Sequence, residues 1–210
     1  MLKQLKPAVV SVLVMTAAFG LIFPLVITAI AQVAFHRQAN GSLIVRNGKV
    51  IGSALIGQSF SRPEYFHPRP SAAGSGYDAS SSGGTNLGPT SAKLIDGIHN
   101  RLANGHEDPN NFDGIKDLAA AYRKENGLVP NAAVPADAVT RSASGLDPDI
   151  SPENAALQVD RVAKARGVAP SVIARLVADH TSGRSLGLFG EPRVNVLELN
   201  LALDRAVPRR

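Results

Sequence analysis

The stretch from Ala8 to Phe35 contains no Asp, Glu, Lys, Arg or His, and no other feature constrains the chain as strongly. About 20 consecutive apolar residues are enough for a helix to cross the hydrocarbon core of a bilayer. The segment 8–35 is therefore read as one transmembrane helix, with a short tail over residues 1–7 before it and a soluble domain over residues 36–210 after it. A second reading is a cleaved signal sequence, because Ala29, Ile30 and Ala31 have the small-residue pattern of a signal-peptidase site. The run is longer than the usual apolar signal core of about 7–15 residues, and it continues through Val33, Ala34 and Phe35 past the cut, which favours an uncut anchor. Pro24 removes one helical hydrogen bond, so a kink is expected near it. Ala17, Ala18 and Gly20 would let another helix approach closely, or serve as plain helix filler.

Lys3 and Lys6 flank the helix on one side and Arg37, Arg46 and Lys49 on the other, so local charge counting does not fix its direction. A short basic tail ahead of a first helix usually stays inside, and long domains cross the membrane largely regardless of charge. The expected arrangement has the N-terminus in the cytoplasm and the domain outside. That domain, at about 175 residues, fits a single medium core. The chain carries 22 Lys and Arg against 17 Asp and Glu, and the excess is scattered rather than gathered into a stripe. Nucleic acid is not an expected partner. Cysteine is absent, which excludes disulfides, thiolate metal sites and cysteine nucleophiles.

Beyond the anchor, Leu43, Ile44 and Val45 and then Val50 and Ile51 flank Asn47-Gly48, the pair that best adopts the two positive φ values of a tight hairpin turn. Strands are expected at about 42–46 and 49–56. Residues 57–91 hold four prolines and many glycines and form a long irregular segment, and Tyr65, Phe66 and Tyr77 within it argue against simple disorder. Because these aromatics have no helix of their own, the segment is expected to order on a partner surface. Helices follow: one from Leu94 to Leu102 behind Thr90 or Ser91, one through Ile115, Leu118, Ala119 and Tyr122, and a polar connection over 104–113 between them. Ser151, Pro152 and Glu153 start a third helix, with Gly167 as its stop and Ala155, Val159, Val162 and Ala163 as its buried face. Pro170 opens a fourth, with Val172, Ile173, Leu176 and Val177 facing the core. The stretch 194–203 fits both strand and helix periods and is read as helix. The fold class is α+β: one transmembrane helix plus a single mixed domain of hairpin, long loop and several helices.

Catalytic patterns are weak. Gly52 to Ser59 has the glycine and serine spacing of a phosphate-binding loop, but Gln58 stands where a lysine must reach the phosphates. Ser82-Gly83-Gly84-Thr85 could aim backbone N–H groups at an anion, or be an ordinary turn. His36, His67, His99, His106 and His180 include no pair at metal-box spacing, so no metal site and no catalytic residue is expected. Asp147 and Asp149 could form an acid/base pair of a tethered hydrolase if buried, and otherwise are solvated turn acids. Arg161, Lys164 and Arg166 could bind phosphate or form a hydrated helix face.

Long ordered blocks resemble a known family. They are Phe23-Pro24-Leu25 with Thr28, Gln38 to Ile44, Gly52 to Phe60, Tyr65-Phe66-His67, Arg69-Pro70-Ser71, and Ser82 to Leu87. Thr140 to Asp147, Arg161 to Arg166 and Val194 to Asp204 continue the series. Together they resemble the C subunit of the bacterial Kdp potassium-transporting P-type ATPase, the KdpC family. Only the segment from about His106 to Pro130 lacks a match and looks like a lineage-specific insertion. The resemblance implies a non-catalytic subunit of a high-affinity, ATP-driven potassium uptake complex in the bacterial inner membrane. It implies three protein partners: a channel-like potassium-binding subunit, a P-type ATPase subunit and a small single-helix subunit. It further implies a role in assembly and as a catalytic chaperone that raises the ATP affinity of the ATPase subunit. The alternative is direct ATP binding in a ternary complex, with Gln158, Ser82, Gly83 and Gly84 as nucleotide-binding candidates. No covalently bound cofactor is implied, and ATP would be met through the ATPase subunit.

Overall fold

Pro24 cannot donate a backbone hydrogen bond, and its ring crowds the carbonyl one turn upstream, at Gly20. The helix responds there. The computed structural model describes residues 2–102, 104 and 106–208. Its first helix, α1 (Leu2–Ala17), passes through one wider π turn at Ala18–Ile22 into α2 (Phe23–Ala34). Phe23 N–H bonds to Ala18 O, five residues back, so the widened turn absorbs the proline that was expected to kink the helix. The apolar stretch Lys3–Ala34 spans 32 residues, and none of its apolar window is buried by the rest of the chain. A helix that is greasy all round and uncovered by its own chain needs lipid or other helices around it.

After α3 (His36–Ala39), strands β1 (Leu43–Arg46) and β2 (Lys49–Ser53) pair antiparallel, with Arg46 opposite Lys49. Asn47 and Gly48 have φ of 51° and 74°, the two left-handed values expected of this turn. The second strand stops at Ser53 rather than running on to 56. These elements form one compact unit ending at Ser53, and residues from Ala54 onward form the second.

In the second unit, α7 (Pro152–Arg166) and α8 (Pro170–Asp179) pack on α9 (Val196–Ala206) around a core of Ala155, Val162, Ile173, Leu199 and Leu203. Capping is as the sequence predicts: Ser151 Oγ accepts from Asn154 N–H, Pro152 fills the first turn, and Gly167 ends α7 at φ 67°. The expected face of α7 is buried throughout, whereas on α8 Val172 is exposed and Ile173 and Val177 carry the core. A small antiparallel sheet runs β3 (Asp149–Ile150), β5 (Arg193–Asn195), β4 (Thr181–Ser182) in spatial order. The ambiguous stretch at 194 therefore holds both structures. Asn195 ends β5, and its side chain caps α9 by accepting from Glu198 N–H at 3.0 Å.

A second cluster joins Tyr122, Ile115, Leu118 and Ala119 of α5 (Ile115–Glu125) to Ala138 and Val139 of α6 (Ala136–Val139). The helix expected from Leu94 to Leu102 is shorter: α4 (Ala92–Asp96) ends at Gly97, whose φ of 84° and ψ of −175° no helix continues. The chain then doubles back, with bridges Ile98 to Phe112 and Arg101 to Glu107. The polar connection over 104–113 includes Gly105, which lies outside the described residues.

The segment 57–91 departs most from expectation. Its first half packs on the domain itself, since Phe66 and Ala73 are fully buried and Tyr65 nearly so, while residues 78–91 run exposed or half-buried over the surface. Asn200 of α9 accepts from Phe66 N–H and donates to Phe66 O, both at 2.9 Å, a side-chain copy of one rung of a β-ladder. At the next residue the His67 ring sits 2.7 Å from Glu125 at the end of α5.

Two outcomes follow for the full chain in detergent. Asn200→Leu, close in volume but unable to pair, should cost about 3 kcal/mol because it strands two buried backbone groups; an unchanged urea midpoint would refute the clamp. The His67 hydrogen bond, partly opposed by burial, holds the Glu125 carboxyl below its usual range. A folded-state pKa below the unfolded one contributes stability above about pH 4.3 and loses it as pH falls. Glu125→Gln should therefore lower the unfolding midpoint at pH 6, with the gap closing toward pH 3; a gap independent of pH would exclude an ionic contribution.

Candidate functional site

Helix α7 carries polar residues at core-facing spacing: Asn154, Gln158 and Arg166 lie among Ala155, Val159 and Val162, and all are buried. Buried polar groups persist when their hydrogen bonds are met, and here each is. Gln158 Oε1 accepts from His67 N–H and from Arg161, both at 2.7 Å, while Nε2 donates to His67 O and to Asn154 Oδ1. Two lone pairs and two protons are thus all engaged. Asn154 in turn donates to Asp137 and accepts from the Tyr122 hydroxyl at 2.8 Å. Burial, with Asp137 nearby, pushes the Tyr122 hydroxyl well above its ordinary range, keeping it a neutral donor.

The two arginines of α7 grip the same loop. Arg161 donates to Pro63 O and Tyr65 O at 2.7 and 2.9 Å and to Asn126 Oδ1. Arg166, its side chain 1% exposed, donates to Glu64 O, Val207 O and Asp204 Oδ1, and lies 5.0 Å from the centre of the Tyr65 ring. These guanidinium groups belong to the fold rather than to a phosphate-binding or hydrated face, the two alternatives that the sequence offered. Beside them lies an open cleft of about 690 Å³ lined by Pro63, Lys124, Glu125, Asn126, Asp160 and Lys164. Lys124, Lys164 and Arg161 face it with two acids, a mixed but net positive wall.

The other candidates fall elsewhere. Ser82 Oγ and Gly83 N–H both donate to Ser144 O at 2.9 Å, and a Cβ at Gly84 would stand 2.9 Å from Ala143 O. The glycines let two backbones touch: Gly145, at φ 68°, has Ala73 N and Gly83 O 2.7 Å from where its Cβ would be. The structure therefore does not bring Ser82, Gly83 and Gly84 together with Gln158 around one ligand. Gly57 likewise approaches Asp147 O and Tyr77 too closely for any side chain, which accounts for the glycine of the phosphate-loop-like run. Asp147 and Asp149 are each held by an arginine rather than set against each other as an acid/base pair, and Asp147 is also the turn acid that the sequence suggested, its Oδ1 accepting from Asp149 N–H at 3.1 Å. Asp147 accepts from Arg69 at 2.7 Å, and Asp149 pairs with Arg193 at 3.1 Å. Burial raises the Asp149 carboxyl, with Arg193 opposing.

Phe23, Pro24, Leu25 and Thr28 all lie on α2, exposed on the anchor. One cluster escaped the sequence search because its members come from a loop and a helix start. His99, Asp113 and Asp117 place ligand atoms within 4.8 Å of one another. Two of the three have local duties: Asp117 caps α5 through Gly114 N–H at 2.8 Å and holds His99 at 2.9 Å. The buried amides of α7 did carry a signal, since Asn154 and Gln158, four positions apart on an otherwise apolar face, mark an internal network.

Comparison with known proteins gives the family of this chain. The family described as KdpC, the K+-transporting ATPase c chain, matches residues 5–205. The potassium-transporting ATPase KdpC subunit of Mycobacterium tuberculosis (strain ATCC 25618 / H37Rv) is 51% identical over 205 residues, covering 98% of this chain and all of the relative. The same subunit of Koribacter versatilis is 50% identical over 208 residues, 99% of this chain and 97% of the relative. That of Bradyrhizobium diazoefficiens is 51% identical over 221 aligned positions and covers both chains fully. With half of its residues shared along its whole length, the chain belongs to the KdpC family, the c chain of the K+-transporting ATPase.

Proposed function

We propose that this chain is the non-catalytic, single-pass subunit of a high-affinity potassium uptake complex, holding the assembly together and raising the ATP affinity of its ATPase subunit. Its partners on this reading are the channel-like potassium-binding subunit, the ATPase subunit and a small single-helix subunit of the bacterial inner membrane. The observation that carries it is the uncovered apolar helix Lys3–Ala34 in a chain of this family. A helix with no cover of its own is matched by lipid or by helices of other subunits. The polar side chains of α7 support the non-catalytic part, since Gln158, Arg161 and Arg166 spend their hydrogen bonds on the fold.

With Lys3 and Lys6 inside, the domain is periplasmic, and its effect on nucleotide is transmitted rather than direct. Such an effect is a coupling free energy: ATP binding and the seating of this chain favour the same state of the ATPase subunit. The second reading, direct ATP binding, draws on the cleft beside Arg161, where Lys124 and Lys164 could meet phosphates. On that reading Gln158 reaches a nucleotide only by giving up one of its four hydrogen bonds.

Deleting the gene should abolish growth at micromolar potassium. In purified complexes, omission of this chain should raise the KM for ATP several-fold; an unchanged KM would end the chaperone reading. Alkaline-phosphatase fusions after Arg37 and after Arg210 should be active on the outward side. Inactive fusions, together with saturable photolabelling of Lys124 or Lys164 by an ATP analogue, would replace remote action with direct binding.

A further inference from the structure

Between β4 and β5 the chain makes a short hairpin whose tip exposes Leu186, Leu188 and Phe189 at 88%, 74% and 65%. In the second unit, no other run of four described residues exposes three large apolar side chains, and neither core cluster includes them. The tip is also built firmly. Ser185 and Phe189 exchange backbone hydrogen bonds at 2.8 and 2.9 Å, Leu188 N–H bonds to Ser185 O at 3.1 Å, and Arg184 pairs with Glu191 at 2.6 Å across its base. Leu186 and Gly187 have φ of 55° and 73°. That is a tight turn in which a leucine occupies a left-handed position that asparagine or glycine would fill at less cost. Its strand β5 is anchored by Val194, fully buried in the core. The domain therefore holds an apolar knob out in solvent, apart from both core clusters of the described residues.

We infer that this knob seats in an apolar pocket on another subunit of the same ATPase. The inference rests on the proposed role as a subunit and deepens it by naming the surface. Three features choose this occupant over lipid or a second copy. A tip that enters the bilayer interface is normally flanked by Trp, Tyr or several basic residues. The chain has no Trp, and the two arginines that flank the tip, Arg184 and Arg193, are each already paired with an acid, Glu191 and Asp149. Turn backbone whose N–H and C=O groups are not all paired is also costly at the depth of hydrocarbon. A second copy is disfavoured by area, because even a fully covered aromatic side chain contributes about 150–250 Å² while a stable interface needs roughly 800 Å² per partner. So small a knob suits a secondary contact in an assembly that the anchor helix already holds at high effective concentration.

The test uses the full complex with benzoylphenylalanine in place of Leu186. First, co-purification of this chain with the other subunits is measured; its failure in the unsubstituted complex would overturn the proposed function itself. If the complex is intact, ultraviolet irradiation should give one discrete cross-link to another subunit, localised by mass spectrometry. Cross-links only to lipid, only to a second copy of this chain, or none at all would each overturn the inference while leaving the proposed function standing. The double variant Leu186→Ser, Phe189→Ser should dissociate from the complex about tenfold faster with its own melting temperature unchanged. Unchanged dissociation would count against the knob, and if the melting temperature falls the cross-link decides.

Discussion

Prolines and glycines deny residues 57–91 any regular ladder, yet Phe66 must be buried for this domain to have a core, and the backbone that carries it goes inside too. Each buried N–H or C=O left unpaired would cost about 1–3 kcal/mol. The domain meets this demand with side chains. Asn200 serves both groups of Phe66, Gln158 both groups of His67, and the guanidinium groups of Arg161 and Arg166 take the carbonyls of Pro63, Glu64 and Tyr65. Helices α7 and α9 thus act as the missing neighbouring strands. Among the described residues no buried side-chain polar atom is left without a partner.

The polar residues that hold the loop also hold one another. Asp137, Asn154, Gln158 and Arg161 are linked in sequence by hydrogen bonds of 2.7 to 2.9 Å, reaching from α6 along α7 to the threaded loop. A connected network of this kind fails as a unit when one member is removed, because the partner left behind stays buried. The glycines do related work where side chains cannot help. At Gly57, Gly84 and Gly145 two backbones come so close that any Cβ would strike main-chain atoms. Runs that resemble phosphate cradles in one dimension are, in three, the seams along which the irregular segment is joined to residues 142–147.

The anchor obeys the opposite rule. There every backbone group must be satisfied within the helix, and Pro24 would leave a carbonyl without its donor. The π turn at Ala18–Ile22 shifts the pairing by one residue before the proline arrives. A short, soft place in a membrane helix, bordered by Ala17, Ala18 and Gly20, is also where another helix can approach closely.

Local chemistry wrote much of this structure into the sequence. The charge-free run marks the anchor, Asn47-Gly48 sets the hairpin, Ser151, Pro152 and Gly167 bound α7, and its apolar spacing names the buried face, because each depends on residues within a turn or two of one another. Gly97 shows the limit: apolar periodicity extended a helix to Leu102, and one backbone angle ended it at Asp96. Tertiary structure alone decided what Gln158, Arg161, Arg166, Asp147 and the glycine runs are for. Their partners lie far away along the chain, as with Gln158 and His67, 91 positions apart. A side chain that could equally grip a phosphate or a carbonyl is assigned only when folding brings one of them within 3 Å.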